Sequence, residues 1–259
     1  MSELPYANKS LGQHWLTDFA SLSAMCDAAQ LNEADVVLEI GPGLGTLTEL
    51  LVEGADRVVA VEFDEALARQ LPKRVPASNL SVIQQDILRF DLTSMPADYK
   101  VVANIPYYLT SKLIRVLSES TNRPAYAVLL VQKEVAVRVA AGPGDMSLLS
   151  VTAQFYWETT KDILVPARLF TPPPKVDSQI LVLKRRDTPI FPDVDPKEFF
   201  RLVKAGFSNR RKTLLNSLSG GLQLEKPAAK QLLESAGINP GARPQELSLD
   251  QWHGLYLKV

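Results

Sequence analysis

The stretch that decides the fold is VVLEIGPGLGTLTELL, residues 36–51. Its first part, Val36–Ile40, is mostly aliphatic and β-branched, which predicts a buried strand. A glycine-rich bend follows at Gly41–Gly45, and the leucines after it recur with the spacing of a helix. Glycine at such a bend lets the chain turn tightly and lets a ligand approach the backbone without meeting a Cβ atom. The stretch therefore predicts a strand, a ligand-binding turn and a helix.

Further candidate strands flank this stretch on its carboxyl side. With Val36–Ile40 they are Val58–Val61, Leu80–Gln84, Val101–Ala103, Tyr126–Val131, Gln154–Thr160 and Val176–Lys184. Helical segments separate the first five, which predicts an α/β domain with a mostly parallel sheet. No clear helix separates the last two, and this predicts an antiparallel hairpin at one edge of the sheet.

Composition narrows the class of protein. The chain has 259 residues, of which 46% are hydrophobic and 22% charged, and this is typical of a globular protein rather than a disordered one. One cysteine and two histidines exclude an intrachain disulfide and a cysteine-rich zinc site, and no metal is expected. Apolar runs are too short to cross a bilayer, and the first ten residues lack the apolar core of a signal peptide. A cytoplasmic protein is expected.

A change in composition near residue 187 predicts two domains. The segment DTPIFPDVDP, residues 187–196, holds three prolines and reads as a linker, and a helical pattern follows it. We expect an α/β domain over residues 1–186 and a small helical domain over 187–259. Residues 1–180 carry 15 Lys and Arg against 21 Asp and Glu, whereas residues 181–259 carry 13 against 8. The basic second part suits an anionic partner, although charge alone also permits a chance surface distribution.

Two acidic residues follow strands next to the glycine-rich turn. Glu62 ends the second candidate strand, where an acid in a Rossmann-like sheet accepts hydrogen bonds from ribose hydroxyls. The turn reads G-x-G-x-G and lacks the late glycine of the dinucleotide fingerprint, so it favours S-adenosylmethionine over NAD, with Gly41 and Gly43 as contacts. Asp86 follows the third strand, where its carboxylate would contact the adenine amine or cap the next helical turn.

The fourth strand ends in Asn104-Ile105-Pro106-Tyr107. The exocyclic amine of adenine is a poor nucleophile because its lone pair is delocalised into the ring. An amide oxygen from Asn104 and a nearby backbone carbonyl would accept its two N–H groups and turn the lone pair toward a methyl donor. Pro106 fixes the backbone, and Tyr107 offers a face on which an extruded base stacks. The alternative is an ordinary Asn-Pro turn with Tyr107 packed in the core.

Motifs along nearly the whole chain resemble the ribosomal RNA adenine dimethyltransferases of the KsgA/RsmA family. They are KSLGQHWLTD (9–18), LEIGPGLGTLTELL (38–51), VAVEFDEAL (59–67), QQDIL (84–88), VVANIPYYLTSKLI (101–114), VLLVQKEVAVRVAAGPG (128–144), LFTPPPKVDSQILVL (169–183) and FSNRRKTLLNSL (207–218). The resemblance implies a seven-stranded methyltransferase sheet whose last strand is antiparallel, with a small C-terminal helical domain. It also implies S-adenosylmethionine-dependent N6,N6-dimethylation of two adjacent adenosines in the 3′-terminal hairpin loop of 16S rRNA, late in assembly of the small ribosomal subunit.

The resemblance also assigns residues to the site. The family's cofactor-contacting positions correspond to Leu16, Gly41, Glu62, Asp86 and Asn104. Position 14 departs from the family, because relatives usually have Asn there and this chain has His14, whose charge depends on pH.

Phe170 precedes three prolines, which predict a rigid loop that begins at Phe170 and lies over the target pocket. The resemblance implies that Phe170 and Tyr107 sandwich the target adenine. The alternative for Phe170 is a core residue beneath a proline-rich turn.

Two basic clusters are candidates for contact with RNA phosphates. Arg210, Arg211 and Lys212 are expected to open a helix, where three cations oppose the helix dipole and so serve something other than helix stability. Lys184 and Arg185 form a second, weaker cluster.

Four other functions remain open at this stage. The related Erm class methylates large-subunit rRNA, and a DNA adenine methyltransferase would use similar chemistry. An RNA-binding assembly factor that has lost catalysis, or a Rossmann oxidoreductase, would keep parts of the pattern. No oligomerisation signal is visible, so a monomer is expected.

Overall fold

The computed structural model describes residues 12–209 and 211–259, and they form two compact units. The first unit contains the described residues up to Ala136 together with Glu158–Arg185. The second contains Val137–Trp157 together with Arg186–Val259. The sequence-based division at residue 187 put residues 137–157 in the first domain. They belong to the second unit because Val151 and Phe155 are buried in its core.

Strands and helices alternate through the first unit, and helices dominate the second. The strands are β1 (Trp15–Leu16), β2 (Val36–Ile40), β3 (Arg57–Glu62), β4 (Leu80–Gln84), β5 (Lys100–Asn104), β6 (Tyr126–Gln132), β7 (Trp157–Val165), β8 (Phe170–Thr171) and β9 (Ser178–Arg185). The helices are α1 (Phe19–Ala28), α2 (Thr46–Gly54), α3 (Glu65–Arg74), α4 (Thr110–Glu119), α5 (Lys133–Val139), α6 (Leu148–Tyr156), α7 (Pro196–Gly206), α8 (Leu214–Leu222), α9 (Lys226–Ser235) and α10 (Leu249–Tyr256).

The main sheet has seven strands in the order β4-β3-β2-β5-β6-β9-β7. Strands β2 to β6 pair in parallel, and β9 pairs antiparallel with β6. The predicted seven-stranded, Rossmann-like sheet with its last strand antiparallel is therefore confirmed. The prediction of a strand from Gln154 was wrong at its start. A capping box between Ser147 and Ser150 starts α6, which runs through Tyr156 before β7 begins.

The parallel register determines where the site lies. Strands β2, β3, β4 and β5 all end at one edge of the sheet, because parallel strands share their direction. The chain passes from β2 outward to β4 and then returns to β5 on the other side of β2. Such a reversal leaves a crevice beyond the carboxyl ends of the strands, where α/β proteins bind their ligands.

Each unit has its own apolar core. In the first unit, Leu22 and Met25 of α1 pack with Val37 of β2, Val128 of β6 and Ile180 of β9. In the second unit the core includes Phe155, Phe199, Leu218, Leu233 and Trp252, which come from five helices. Among residues 12–209 and 211–259, none of the helices has the length and hydrophobicity needed to span a membrane.

Candidate functional site

The glycine-rich turn after β2 has a backbone that favours glycine. Gly41 has φ +67° and Gly43 has φ +57°, both in the left-handed region. A Cβ atom at Gly43 would lie 2.9 Å from Cζ3 of Trp15, so a side chain there would push against the indole. The turn therefore brings bare backbone to the crevice at the end of β2.

Glu62 is fixed at the end of β3 by two backbone donors. The N–H of Gly43 donates to Oε2 at 3.1 Å, and the N–H of Asp64 donates to Oε1 at 2.8 Å. Burial raises the pKa of this carboxyl, while the N–H donors of Asp64 and Gly43 act in the opposite direction. The result is an oriented carboxylate whose remaining lone pairs suit hydroxyl donors such as those of a ribose.

Asp86 fits both interpretations of its sequence position. Its Oδ1 accepts from the N–H of Leu88 at 3.0 Å and caps a 3-10 turn at Ile87–Arg89. Its Oδ2 has no hydrogen bond to any part of the chain that the structure describes. The cap fixes the carboxylate, and the second oxygen remains available to an amine.

The segment after β5 presents an amide and an aromatic ring. The side chain of Asn104 is half-buried and has no hydrogen bond within the described residues. Tyr107 is also half-buried, and its hydroxyl lies 2.7 Å from Oγ of Ser178 at the start of β9. Burial raises the pKa of Tyr107, so its hydroxyl stays protonated. The alternative of Tyr107 as a fully buried core residue does not hold.

The two-stranded pair of β1 and β8 forms another wall. Trp15 faces Thr171 and Leu16 faces Phe170 in antiparallel register, and the Leu16 carbonyl accepts from the Thr46 hydroxyl at 2.9 Å. Phe170 is only 3% exposed and packs in the core of the first unit. Within residues 12–209 and 211–259, no ring contact joins Phe170 to Tyr107.

His14 is the aromatic neighbour of Tyr107 in this wall. The two ring centroids are 6.1 Å apart, with an interplanar angle of 21°. Nδ1 of His14 lies 2.6 Å from the carbonyl oxygen of Pro172. A carbonyl only accepts, so Nδ1 of His14 is the donor in this hydrogen bond.

These features line one cavity of about 320 Å³, which is at the lower end of the range for small-molecule sites. All ten residues predicted to bind the cofactor or the target base line it, namely His14, Leu16, Gly41, Gly43, Glu62, Asp86, Asn104, Pro106, Tyr107 and Phe170. They come from distant parts of the sequence, so their convergence is a property of the fold. Their individual roles remain predictions.

Sequence reasoning missed Glu39, which lies inside β2 and also lines the cavity. Its side chain is 1% exposed, and neither carboxylate oxygen has a hydrogen bond among the described residues. Burial raises the pKa of Glu39 from 4.5 to about 8, with the nearby Thr48 hydroxyl acting against the rise and the negative charge of Glu62 adding to it. An acid in an otherwise apolar strand was the available signal, because a buried carboxylate is costly without a partner.

The donor set fits S-adenosylmethionine. That cofactor carries an ammonium and a sulfonium cation, a ribose and an adenine. The orphaned carboxylate of Glu39 suits a cation, Glu62 suits the ribose hydroxyls, and the free oxygen of Asp86 suits the adenine amine. The described residues contain no cluster of three or more His, Cys, Asp or Glu side chains that would hold a metal ion.

The predicted RNA-contacting residues do not line the cavity. Lys184 is exposed on β9, whereas the guanidinium of Arg185 contacts Asp98 and donates to the carbonyl of Arg123 at 2.9 Å. Arg211 and Lys212 are exposed. Arg210 lies outside the described residues.

The expectation that Arg211 and Lys212 open a helix was wrong. Helix α8 begins at Leu214 with Thr213 at its N-cap, and Arg211 and Lys212 lie in a turn before it. Thr213 is in the extended conformation that is typical of an N-cap residue. The two cations precede it and therefore lie outside the helix.

Comparison with known proteins gives a consistent result. A family model described as Ribosomal RNA adenine dimethylase matches residues 6–258. The Ribosomal RNA small subunit methyltransferase A of Dehalococcoides mccartyi is 42% identical over 256 residues, covering 97% of this chain and 88% of the relative. A dimethyladenosine transferase from Plasmodium falciparum has a similar structure, with a TM-score of 0.80, 29% identity and coverage of 94% of this chain and 96% of the other. The 23S rRNA methyltransferase ErmE has a TM-score of 0.75 and 28% identity, with coverage of 95% and 99%.

Proposed function

The chain belongs to the ribosomal RNA adenine dimethylase family, and from this premise we propose that it dimethylates two adjacent adenosines in the 3′-terminal hairpin loop of small-subunit (16S) rRNA. It is an S-adenosylmethionine-dependent enzyme that forms N6,N6-dimethyladenosine in rRNA. We place its action late in small-subunit assembly in the cytoplasm, with the protein acting as a monomer.

The observation that carries the proposal is the shared cavity of Asn104 and Glu62. The amide oxygen of Asn104 is free to accept a hydrogen bond from an adenine amine. The oriented carboxylate of Glu62 is placed to accept hydrogen bonds from the ribose of the methyl donor. Because the glycine turn and the Asn-Ile-Pro-Tyr segment end adjacent strands β2 and β5, both reactants would meet at one edge of the sheet. Methyl transfer from the donor to the adenine amine depends mainly on the correct positioning of these two reactants.

Asn104 activates the target amine in this proposal. Its Oδ1 and the carbonyl of Ile105 accept the two N6–H groups, which turns the nitrogen lone pair out of conjugation with the ring. Pro106 holds the intervening backbone rigid. Tyr107, anchored through its hydroxyl to Ser178, presents its ring to the face of the extruded base.

Other residues position the methyl donor. S-adenosylmethionine supplies a methyl group on a positively charged sulfur, which is a good leaving group. Gly41 and Gly43 leave room at the turn, Glu62 and Asp86 bind ribose and adenine, and Leu16 and His14 close the opposite wall. Phe170, which pairs with Leu16 across β1 and β8 and lines the same cavity, is assigned to the target base.

The proton of the amine leaves only after the new C–N bond has begun to form, because the nitrogen becomes acidic at that point. An acceptor that holds the N–H group, such as Oδ1 of Asn104, stabilises the developing positive charge without a strong base, and the proton then passes to water. A second round requires the cavity to accept N6-monomethyladenine, which keeps one N–H for this contact.

Contact with rRNA is assigned to the exposed cations. Arg211 and Lys212 have no ion pair with a described residue, so they are available to phosphates. Lys184 is exposed in the same way, and Arg210 shares the proposed role from its sequence position. Arg185 would have to exchange Asp98 for a phosphate, which makes it the weakest member of the set.

A direct experiment is methyl transfer from labelled S-adenosylmethionine to small subunits that lack the modification. Large subunits, protein-free rRNA and DNA serve as parallel substrates, and the product nucleosides are separated to count methyl groups. Label in N6,N6-dimethyladenosine of small-subunit RNA supports the proposal. Tight binding to small subunits without label would contradict it and favour an assembly factor.

A second candidate follows from the similarity to ErmE, whose name gives 23S rRNA as its substrate. The two structural similarities are close, with TM-scores of 0.80 and 0.75, so the fold does not select the RNA. The small-subunit proposal is preferred because the relative from Dehalococcoides mccartyi, at 42% identity, carries that substrate in its name. Label in large-subunit RNA alone would reverse the preference.

A further inference from the structure

Two side chains at the cavity have no partner and no role so far. Tyr108 is 62% exposed, and Lys112 is exposed as well, although both line the cavity. Neither has a hydrogen bond, ion pair or ring contact with any residue in the described ranges. A large aromatic ring in water beside a free cation, at the entrance to a site, points to a ligand with a flat face and a negative charge.

The ring of Tyr108 is supported although it is exposed. It belongs to the 3-10 turn Tyr107–Leu109, which directly continues the Asn-Ile-Pro-Tyr segment. A Cβ atom built on Gly12 would lie 3.6 Å from Cδ1 and Cε1 of Tyr108 and 3.7 Å from Cβ of Pro106. Gly12 therefore lies next to one edge of the ring. A supported ring loses little conformational freedom when a base stacks on it.

Lys112 occupies a position that does not favour a cation. It is the third residue of α4, and the first turn of this helix contains no acidic residue. A positive charge there is unfavourable because it opposes the helix dipole. Among the described residues that line the cavity, Lys112 is the only Lys or Arg, and the carboxyl groups there belong to Glu39, Glu62 and Asp86. An anion bound at the entrance would offset both effects.

We propose that Tyr108 and Lys112 hold the nucleotide next to the target adenosine, Tyr108 by stacking on its base and Lys112 by pairing with the phosphate between the two nucleotides. The inference rests on the proposed function, and it adds a second nucleotide subsite to that cavity. Extruding the target base breaks its stacking on the neighbouring base, and a stack on Tyr108 compensates for that loss.

The subsite also bears on the pair of targets. When one adenosine enters the cavity, the base of its neighbour stacks on Tyr108. A purine stacks more strongly than a pyrimidine, so the subsite predicts that the base beside the target affects the rate.

The stacking part is tested with small subunits in which one of the two adenosines is replaced by guanosine or by uridine. The wild type should methylate the remaining adenosine faster beside guanosine than beside uridine. Tyr108→Ala should lower kcat/KM on unaltered subunits about 10-fold and abolish the preference for guanosine, since base–aromatic stacking is worth this much. Tyr108→Phe should retain both. Phe19→Ala removes another exposed aromatic ring, one that does not line the cavity, and serves as the control.

The phosphate part is tested by the salt dependence of binding to small subunits. Lys112→Ala should reduce the slope of log K against log salt by about 1, and Lys112→Arg should restore it. Arg115→Ala removes a cation from the same helix outside the cavity, so it should retain the slope. Affinity for S-adenosylmethionine should stay unchanged in all variants, measured by calorimetry.

The outcomes separate the two proposals. If the wild type labels no small-subunit adenosine, the proposed function fails. If the wild type is active but Tyr108→Ala keeps the guanosine preference, or Lys112→Ala keeps the salt slope, the subsite is refuted while the proposed function stands. A general loss of stability in Tyr108→Ala would lower the methylation rate of both altered substrates equally and leave the preference for guanosine intact. That result would also count against the subsite.

Discussion

Replacing Glu39 by Gln tests whether a buried, unpaired carboxyl limits the stability of the first unit. Glu39 is 1% exposed and its two oxygens have no hydrogen bond among the described residues. Gln has nearly the same shape but does not ionise. The substitution therefore removes the titration and leaves the packing of β2 nearly unchanged.

The magnitude follows from the pKa. Burial raises the pKa of Glu39 from 4.5 to about 8, so the folded state binds one more proton than the unfolded state between these values. Stability falls as pH rises wherever the folded state binds more protons. The cost begins above the unfolded pKa and is complete above the folded pKa. This cost increases by about 2 kcal/mol between pH 6 and pH 8, since each pKa unit is worth about 1.4 kcal/mol.

The assay is urea unfolding of the wild type and Glu39→Gln at pH 6, 7 and 8, followed by circular dichroism. Hydrogen exchange of the β2 amides gives the local opening free energy of the first unit. The advantage of Glu39→Gln over the wild type should grow by about 2 kcal/mol from pH 6 to pH 8. Glu62 titrates in both proteins, so most of its contribution cancels in the difference.

The control is Glu49→Gln, which removes an exposed carboxyl from α2. Its stability difference from the wild type should not change over the same pH range by more than a few tenths of a kcal/mol. An advantage of Glu39→Gln that is constant with pH would refute the reasoning, because it would mean that Glu39 is already ionised in the folded protein at pH 6, as it is in the unfolded chain.

Three further outcomes are expected. Asn104→Ala should lower the single-turnover rate of methyl transfer about 100-fold while the calorimetric affinity for S-adenosylmethionine stays within about 2-fold; equal losses in both would contradict the assigned role. Gly43→Ala places a Cβ atom 2.9 Å from Cζ3 of Trp15 on a backbone with φ +57°. It should weaken cofactor binding at least 10-fold and lower the free energy of unfolding in urea by about 1–2 kcal/mol. Wild-type affinity for the cofactor would argue against the turn as a binding element. Arg211→Glu combined with Lys212→Glu should weaken binding to small subunits and flatten its salt dependence by a slope of about 1–2 in filter binding, whereas an unchanged slope would exclude these cations from the RNA contact.

The sequence alone determined the first unit and most of the site in outline. Apolar runs of three to six residues between helical segments predict parallel strands, and the strands at residues 36–40 and 80–84 have the predicted bounds. Glycine turns and polar residues at strand ends are local signals, because each depends on the residues beside it. Those signals identified Gly41, Glu62, Asp86 and Asn104, which do line one cavity.

The tertiary structure decided what depends on contacts between distant residues. Burial of Glu39 among neighbouring strands, the support of Tyr108 by Gly12 and the pairing of His14 with the Pro172 carbonyl join parts of the chain that no local pattern connects. The same reason explains the error at Gln154, whose segment reads as a strand. A capping box and packing in the second core make it the end of a helix, since tertiary contacts outweigh local propensity over so short a segment.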